Sequence, residues 1–464
     1  MTPALRIAAL GMLIALGALA GVAAGQANAA DDELGPSPHL DALDAAGGVL
    51  DLTEVTFGQQ GTRLRLRMRT AAEWKAGELS PDRTLCVIAY VGDIPTPHLR
   101  ICVATRATEA ALTYARLTPQ GGVQRSGVID ALVERPDRRT IEATFTPLAA
   151  RLPLGSFSWE AESRWTGDGV ADRVPEIGRI EDTARLLAVA PCFGAAARDP
   201  LHPCRNPALR LAVIPTPSRA VLLPNAFCRP TGRRDLVSPC AFGAAPDQAS
   251  ATVALIGDSH AEHWRGAVEV VAQAKRWRGL SITRSSCPFA LGTPIPPQGE
   301  AARKLCVRWN RQVLRWLRRH PEVRTIVVSA NDVTRHSGPP GAGFRATWKA
   351  LPSSVRRVIV LRDTPHIVGP QAPCVARALA HRRPPGRLCA QSRASNLTPD
   401  PQVAAARALH SRRVRLVDLS RHLCDDEVCF AVVGGALVHK DGTHLTATFA
   451  QTLGPYLLRA IDRL

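Results

Sequence analysis

The sequence contains no Cys-x-x-Cys pair, no dense run of arginine or lysine, and no second long apolar stretch after its first two dozen residues. Each absence removes a class of protein. Without knuckle spacing, and with no histidine set beside the cysteines at ligand spacing, the twelve cysteines do not read as zinc ligands, so neither a metal nor an organic cofactor is expected. Lysine occurs only five times, so arginine carries nearly all of the formal charge of +18 in a chain rich in alanine and proline. That pattern reads as compositional bias rather than a nucleic-acid groove, and nucleic acid is not an expected partner. A positive surface would still draw an anionic envelope polymer. No segment beyond the N-terminus approaches the length of a membrane span.

What is present points to export. An apolar stretch from Ile7 to Ala24 follows the basic start, and Ala27-Asn28-Ala29 precedes the acidic Asp31-Asp32. Residues 1–29 therefore read as a signal peptide with a small-residue cleavage site. The cysteines suit the oxidising compartment that export implies. They fall into six sequential pairs: Cys86 with Cys102, Cys192 with Cys204, Cys228 with Cys240, Cys287 with Cys306, Cys374 with Cys389, and Cys424 with Cys429. Sequence alone does not fix connectivity, but nearest-neighbour pairing leaves no orphan.

The chemistry concentrates at two places. Gly257-Asp258-Ser259-His260 directly follows the apolar run Val253–Ile256, which sets a serine where a strand ends and a helix begins. A serine hydroxyl is a poor nucleophile until a base takes its proton and N–H groups receive the charge on the attacked oxygen, and a helix N-terminus supplies such groups. Far downstream, Asp441 and His444 lie three residues apart, close enough for the carboxylate to orient the imidazole. Together they read as an acyl-transfer site, with Ser259 as nucleophile, His444 as base and Asp441 as orienter. His260 and His263 follow the serine closely, but two such residues lack a third ligand and read as a packing and a surface histidine. Asp258 reads as a turn or network carboxylate. The Asn396-Leu397-Thr398 sequon reads as incidental.

Residues 250–464 resemble the SGNH (GDSL-like) hydrolases, and within them the soluble SGNH domain often fused to membrane acyltransferases of the acyltransferase-three family. The resemblance rests on Leu255-Ile256-Gly257-Asp258-Ser259-His260-Ala261, Ser286-Cys287-Pro288, Cys306 with Trp309 and Asn310, Asp363-Thr364-Pro365, Val417-Asp418-Leu419-Ser420 with Cys424 and Cys429, and Asp441 to Leu445. It implies the same three catalytic residues, and an oxyanion hole completed by a glycine N–H and an asparagine. The block that usually reads Gly-x-Asn-Asp is here Ser329-Ala330-Asn331-Asp332, so Asn331 is the candidate donor and its own glycine is missing. Gly292 is the candidate for the separate glycine by its distance from Ser259, with Gly279 as the alternative.

Periodicity sets the expected architecture. Residues from about 45 to 180 alternate at period two, as in Leu64, Leu66 and Met68 interleaved with Arg65, Arg67 and Arg69, which predicts an antiparallel β-sandwich of six to eight strands as the domain 31–185. Trp159 and Trp165 on it are candidates for a sugar-stacking platform or for core. Residues 186–250 read as a Cys/Pro-rich connector. Residues 251–464 alternate short apolar strands with helical segments, which predicts an α/β/α sandwich on a parallel sheet, with a kink at Gly454-Pro455 in the last helix. The function expected is an exported serine esterase or O-acyltransferase acting on acyl groups, acetyl foremost, of an envelope polysaccharide or related glycan. If it transfers, a membrane acyl-donor protein is the expected partner. The alternative is a non-catalytic glycan-binding protein with a degenerate SGNH domain.

Overall fold

A computed structural model describes residues 36–464 apart from 43–48, 81, 93–94, 107–108, 166–169, 203, 227–235, 293–298, 332–338 and 370. The expected signal peptide therefore lies outside the described residues. In the N-terminal half, one antiparallel sheet runs β1 (His39–Leu40), β2 (Leu52–Gln60), β3 (Arg63–Thr70), β9 (Thr140–Phe145) and β8 (Leu132–Glu134). The other runs β11 (Val170–Val174), β10 (Gly155–Trp165), β4 (Arg83–Val91), β5 (Leu99–Arg106), β6 (Glu109–Leu117) and β7 (Val123–Val128), with β12 (Ile180–Ala184) also paired to β10.

The alternation on β3 does what its pattern dictates. Leu64, Leu66 and Met68 are buried, while Arg67 and Arg69 reach Glu54, Glu142 and Asp137 on the wet face. Among the described residues twelve strands form rather than six to eight; β1 and β8 are two and three residues long and β7 is exposed along most of its length, so these three carry no legible period. Trp159 is core, fully buried with its ring against Phe57 and His39. Trp165 lies under the Arg83 guanidinium.

In the C-terminal half the sheet order is β13 (Cys240–Gly243), β15 (Trp277–Thr283), β14 (Ala251–Gly257), β16 (Val323–Ser329), β17 (Arg357–Leu361) and β19 (Val414–Val417), and a short ribbon pairs β18 (Gln391–Ser392) with β20 (Val428–Cys429). All neighbours in the six-stranded sheet are parallel except β13, which runs antiparallel along the edge. The stretch read as a connector thus contributes a strand to the sheet. Val253 to Ile256 are buried on both faces, as a parallel strand between helical layers must be. Val253 and Leu255 pack with α1 (Ser259–His263), α2 (Arg265–Ala274) and α7 (Ala447–Asp462), while Ala254 and Ile256 face α3 (Glu300–Arg319), α4 (Ala342–Ala350) and α6 (Pro401–Leu409). On α3 the buried residues Cys306, Trp309, Asn310, Val313, Leu314 and Leu317 recur at three- and four-residue steps, leaving the arginines outside.

The helix α7 runs through Pro455 without ending. It lies close against α2, where a Cβ on Gly454 would stand 2.4 Å from Val270 Cβ. Five disulfides join the expected neighbours: Cys86–Cys102, Cys192–Cys204, Cys287–Cys306, Cys374–Cys389 and Cys424–Cys429. Cys240 is also disulfide-bonded, and its expected partner Cys228 lies outside the described residues. No helix among the described residues is long and apolar enough to cross a membrane.

The two halves touch. At the β2–β3 turn, Gly61 exchanges backbone hydrogen bonds with Ala188 (3.0 and 2.8 Å), and a Cβ there would meet Gln451 Oε1 of α7 at 2.6 Å. Two residues on, Arg63 pairs with the buried Glu269 of α2 at 3.4 Å.

Candidate active site

Three strand ends converge on one place. Asp258 and Ser259 follow β14, Ala330 and Asn331 follow β16, and Arg362 and Asp363 follow β17, all beyond the carboxyl edge of the sheet where such folds bind ligands. Gly257 makes the turn possible, since a Cβ there would come within 2.1 Å of Ser329 O and 2.7 Å of Ala261 Cβ. Because Gly257 pairs with Ser329 in register, Ser259 and Asn331 leave neighbouring strands at the same level.

Asp258, not Ser259, caps α1. Its Oδ1 accepts the His260 N–H at 2.8 Å and its Oδ2 accepts the Asn331 N–H at 3.0 Å, so one fully buried carboxyl ties the two strand ends together. Burial raises its pKa against the pull of His260 and those N–H groups. Ser259 is thereby left at the first helical position with its side chain directed elsewhere. It meets His444: Ser259 Oγ is 2.8 Å from His444 Nε2, across 185 residues of chain.

Asp441 completes the line. Its Oδ2 accepts from His444 Nδ1 at 2.8 Å, while Oδ1 accepts the backbone N–H groups of Thr443 and His444 at 2.8 and 2.7 Å. Burial opposes ionisation of this carboxyl, and the hydrogen bonds from the His444 ring and from the two N–H groups outweigh it, holding Asp441 well below the usual carboxylate range. With the Nδ1 proton directed at the carboxylate, Nε2 presents a lone pair to the serine hydroxyl. The His444 and Asp441 side chains are 23% and 44% exposed, so the line opens to solvent.

The predicted oxyanion donors fare unequally. Asn331 sits in this cluster, with Nδ2 3.1 Å from His260 Nε2. Gly292 lies in a bend beside Leu291, whose N–H is held by Gly343 O at 3.1 Å, next to residues outside the described set. Gly279 is a packing glycine in mid-strand, where a Cβ would enter the Phe242 ring. Asn396 is buried and bonded to Ser392 O, which removes the sequon from consideration.

Sequence reasoning misjudged His263. His263 is buried rather than on the surface, because the single turn of α1 gives way to α2 at Trp264 and folds it inward. Burial pushes its pKa well below normal, and likewise holds His439 down at about 3. His260 is also buried, and its Nδ1 is 2.6 Å from Asp363 Oδ1, while His366 Nε2 approaches Asp363 Oδ2 at 3.0 Å. Burial opposes the ionised form of Asp363, yet the attraction of His260 with the bonds from both rings holds it well below the usual range. The legible signal for Asp363 was its place just after an apolar strand, where site residues of such sheets collect.

His260, His263 and Asp363 each bring a ligand atom within 4.8 Å of the others. The Leu445 N–H donates to His263 Nδ1 at 3.4 Å, which in a neutral ring puts the proton on Nε2, a nitrogen with no hydrogen-bond partner among the described residues, and the short His260–Asp363 contact is itself a hydrogen bond.

The sequence matches the family described as the SGNH domain fused to AT3 domains over residues 227–459, half of the chain. The chain belongs to the SGNH family. No curated protein matches it. Among solved structures, this SGNH chain is similar to the periplasmic domain of a lipopolysaccharide acetyltransferase from Salmonella ser. Paratyphi A, at 13% identity and a TM-score of 0.36, over 47% of this chain and 84% of that one. It is also similar to an active-site mutant of a family two carbohydrate esterase from Clostridium thermocellum, at 10% identity and a TM-score of 0.26, over 92% of this chain and 98% of that one. Neither superposes closely enough to transfer a substrate. The SGNH match covers both the Ser259 turn and the Asp441–His444 loop, and leaves the strands β1 to β12 outside it.

Proposed function

We propose that this SGNH chain is an exported serine esterase or O-acyltransferase that acts on acyl groups, acetyl foremost, of an envelope polysaccharide or related glycan. The observation that carries the reading is the unbroken line from Ser259 Oγ through His444 to Asp441, with both links at 2.8 Å. Ser259 Oγ attacks the ester carbonyl as His444 Nε2 takes its proton. Asp441 stabilises the imidazolium, and the Ser259 N–H with the Asn331 side chain receives the oxyanion. Collapse of the tetrahedral species releases the alcohol, which takes the proton from His444, and leaves an acyl-serine. Water then completes hydrolysis, or a sugar hydroxyl completes transfer, and in the second case a membrane protein supplies the acyl donor. Export accords with the five described disulfides and the absence of any free cysteine among the described residues. We read 31–185 and 251–464 as separate domains joined by 186–250, a stretch that lends β13 to the sheet of the second.

A fluorophosphonate probe tests the nucleophile directly. Wild-type protein is expected to label at Ser259, and Ser259→Ala to lose both labelling and acetyl-ester hydrolysis while keeping its fold. A folded wild type that does not label would shift the reading to a glycan-binding protein. Turnover of acetylated envelope glycans, with and without an added sugar acceptor, separates hydrolysis from transfer.

A further inference from the structure

We infer that His260, held by Asp363, fixes the side-chain amide of Asn331, so that Asp363–His260–Asn331 forms a positioning line beside the Ser259–His444–Asp441 line. The inference rests on the serine-ester reading above and names what aims its oxyanion donor.

The hydrogen bonds dictate each orientation in turn. An ionised carboxylate only accepts, so the 2.6 Å contact between Asp363 Oδ1 and His260 Nδ1 puts a proton on Nδ1. A neutral imidazole then has its lone pair on Nε2, and only an N–H can face it. The Asn331 amide meets it with Nδ2 at 3.1 Å. The opposite placement, with Oδ1 toward Nε2, would set two lone pairs against each other. Asn331 is thus held both through its backbone N–H, by Asp258 at 3.0 Å, and through its amide, by His260. A side chain fixed this way keeps its donor aimed before the substrate's charge develops, which is what makes such a donor effective.

Burial argues that the line is functional. Asp363, His260 and Asp258 are 3%, 0% and 0% exposed, and placing such groups beneath a surface is costly unless every one is paired. His260 also stands directly beside the proposed chemistry, since it follows Ser259 in the chain and its ring centroid is 5.0 Å from that of His444. His366 and the Thr364 N–H, at 3.0 and 2.8 Å, anchor the Asp363 carboxylate from its own loop.

A double-mutant cycle tests this, read by p-nitrophenyl acetate turnover and by the rate of fluorophosphonate labelling. Asn331→Ala is expected to lower kcat by about 10²- to 10³-fold, the usual loss for an oxyanion donor. His260→Asn keeps an N–H for Asp363 and offers nothing at the Nε2 position, and is expected to lower kcat roughly 10- to 100-fold with KM unchanged. In the Asn331→Ala background the same change is expected to have no further effect. Asp363→Asn serves as the second variant if His260→Asn does not fold, and the same silence is expected. Nitrogen NMR of the wild type is expected to find His260 protonated on Nδ1 and not on Nε2. Losses that multiply across the cycle, or a His260 proton on Nε2, would overturn the inference while leaving the nucleophile intact. A folded wild type that fails to label at Ser259 would instead remove the ester reading and this inference with it.

Discussion

Asp441→Asn separates geometry from proton logic in one substitution. The replacement amide can keep its oxygen where Oδ1 now accepts from Thr443 and His444 at 2.8 and 2.7 Å, so the turn before α7 stays closed. Its NH₂ group then faces His444 Nδ1, where a carboxylate oxygen accepted at 2.8 Å. A donor against that nitrogen forces the proton to the other side of the ring, onto Nε2, 2.8 Å from the Ser259 hydroxyl. An imidazole in this tautomer cannot take the serine proton. Loss of the correct tautomer costs about 10³- to 10⁴-fold in kcat, or roughly 4–5.5 kcal/mol of barrier. Stability should barely change. The folded-state pKa of Asp441 is depressed, so its contribution is present above the unfolded carboxylate pKa and lost as pH falls through the folded one. With 44% of the side chain exposed, solvent screening limits that contribution to about 1 kcal/mol or less. The assay is kcat on p-nitrophenyl acetate beside a thermal melt. A folded Asp441→Asn enzyme that keeps more than about a tenth of wild-type kcat would refute the proton logic.

Acid should destabilise the fold through His439, which is 3% exposed, has no hydrogen-bond partner at either ring nitrogen among the described residues, and is held down at about 3 by burial when folded. The unfolded chain binds that proton near pH 6.5, so stability is full above that value and falls toward pH 3, by at most about 4 kcal/mol. Denaturant titrations of His439→Leu should show a shallower decline over that window, and an unchanged slope would count against the buried neutral ring. Replacing Cys287 and Cys306 by serine opens a 19-residue loop and should cost about 3 kcal/mol, read as a midpoint shift in urea. A midpoint that does not move would show that the bond constrains nothing in the unfolded chain. Gly257→Ala drives a methyl against Ser329 O and should abolish labelling of Ser259 or prevent folding, whereas a fully active variant would mean that the β14 turn has slack.

The strands β14, β16, β17 and β19 were legible because buried parallel strands are written as continuous apolar runs. β15 was not. It reads Trp-Arg-Gly-Leu-Ser-Ile-Thr, with Trp277, Arg278 and Thr283 only partly buried at its two ends, so no continuous apolar run marks it. The helix before it stops at Ala274, since the chain must turn to enter β15 at Trp277. Ser259, His444 and Asp441 stood out because each sits in a short motif with a local rationale. The partnership of His260 with Asp363 spans 103 residues and leaves no local trace. Burial of His263 was equally hidden, because it depends on a one-turn helix breaking at Trp264.

The contact of the β2–β3 turn with Gln451 and Glu269 has a mechanical consequence. Those two residues belong to the helices that follow Ser259 and His444, so the first half of the chain acts as a clasp across their seam. A load on that half would therefore bear on the packing of those two helices as well as on the chain between the halves.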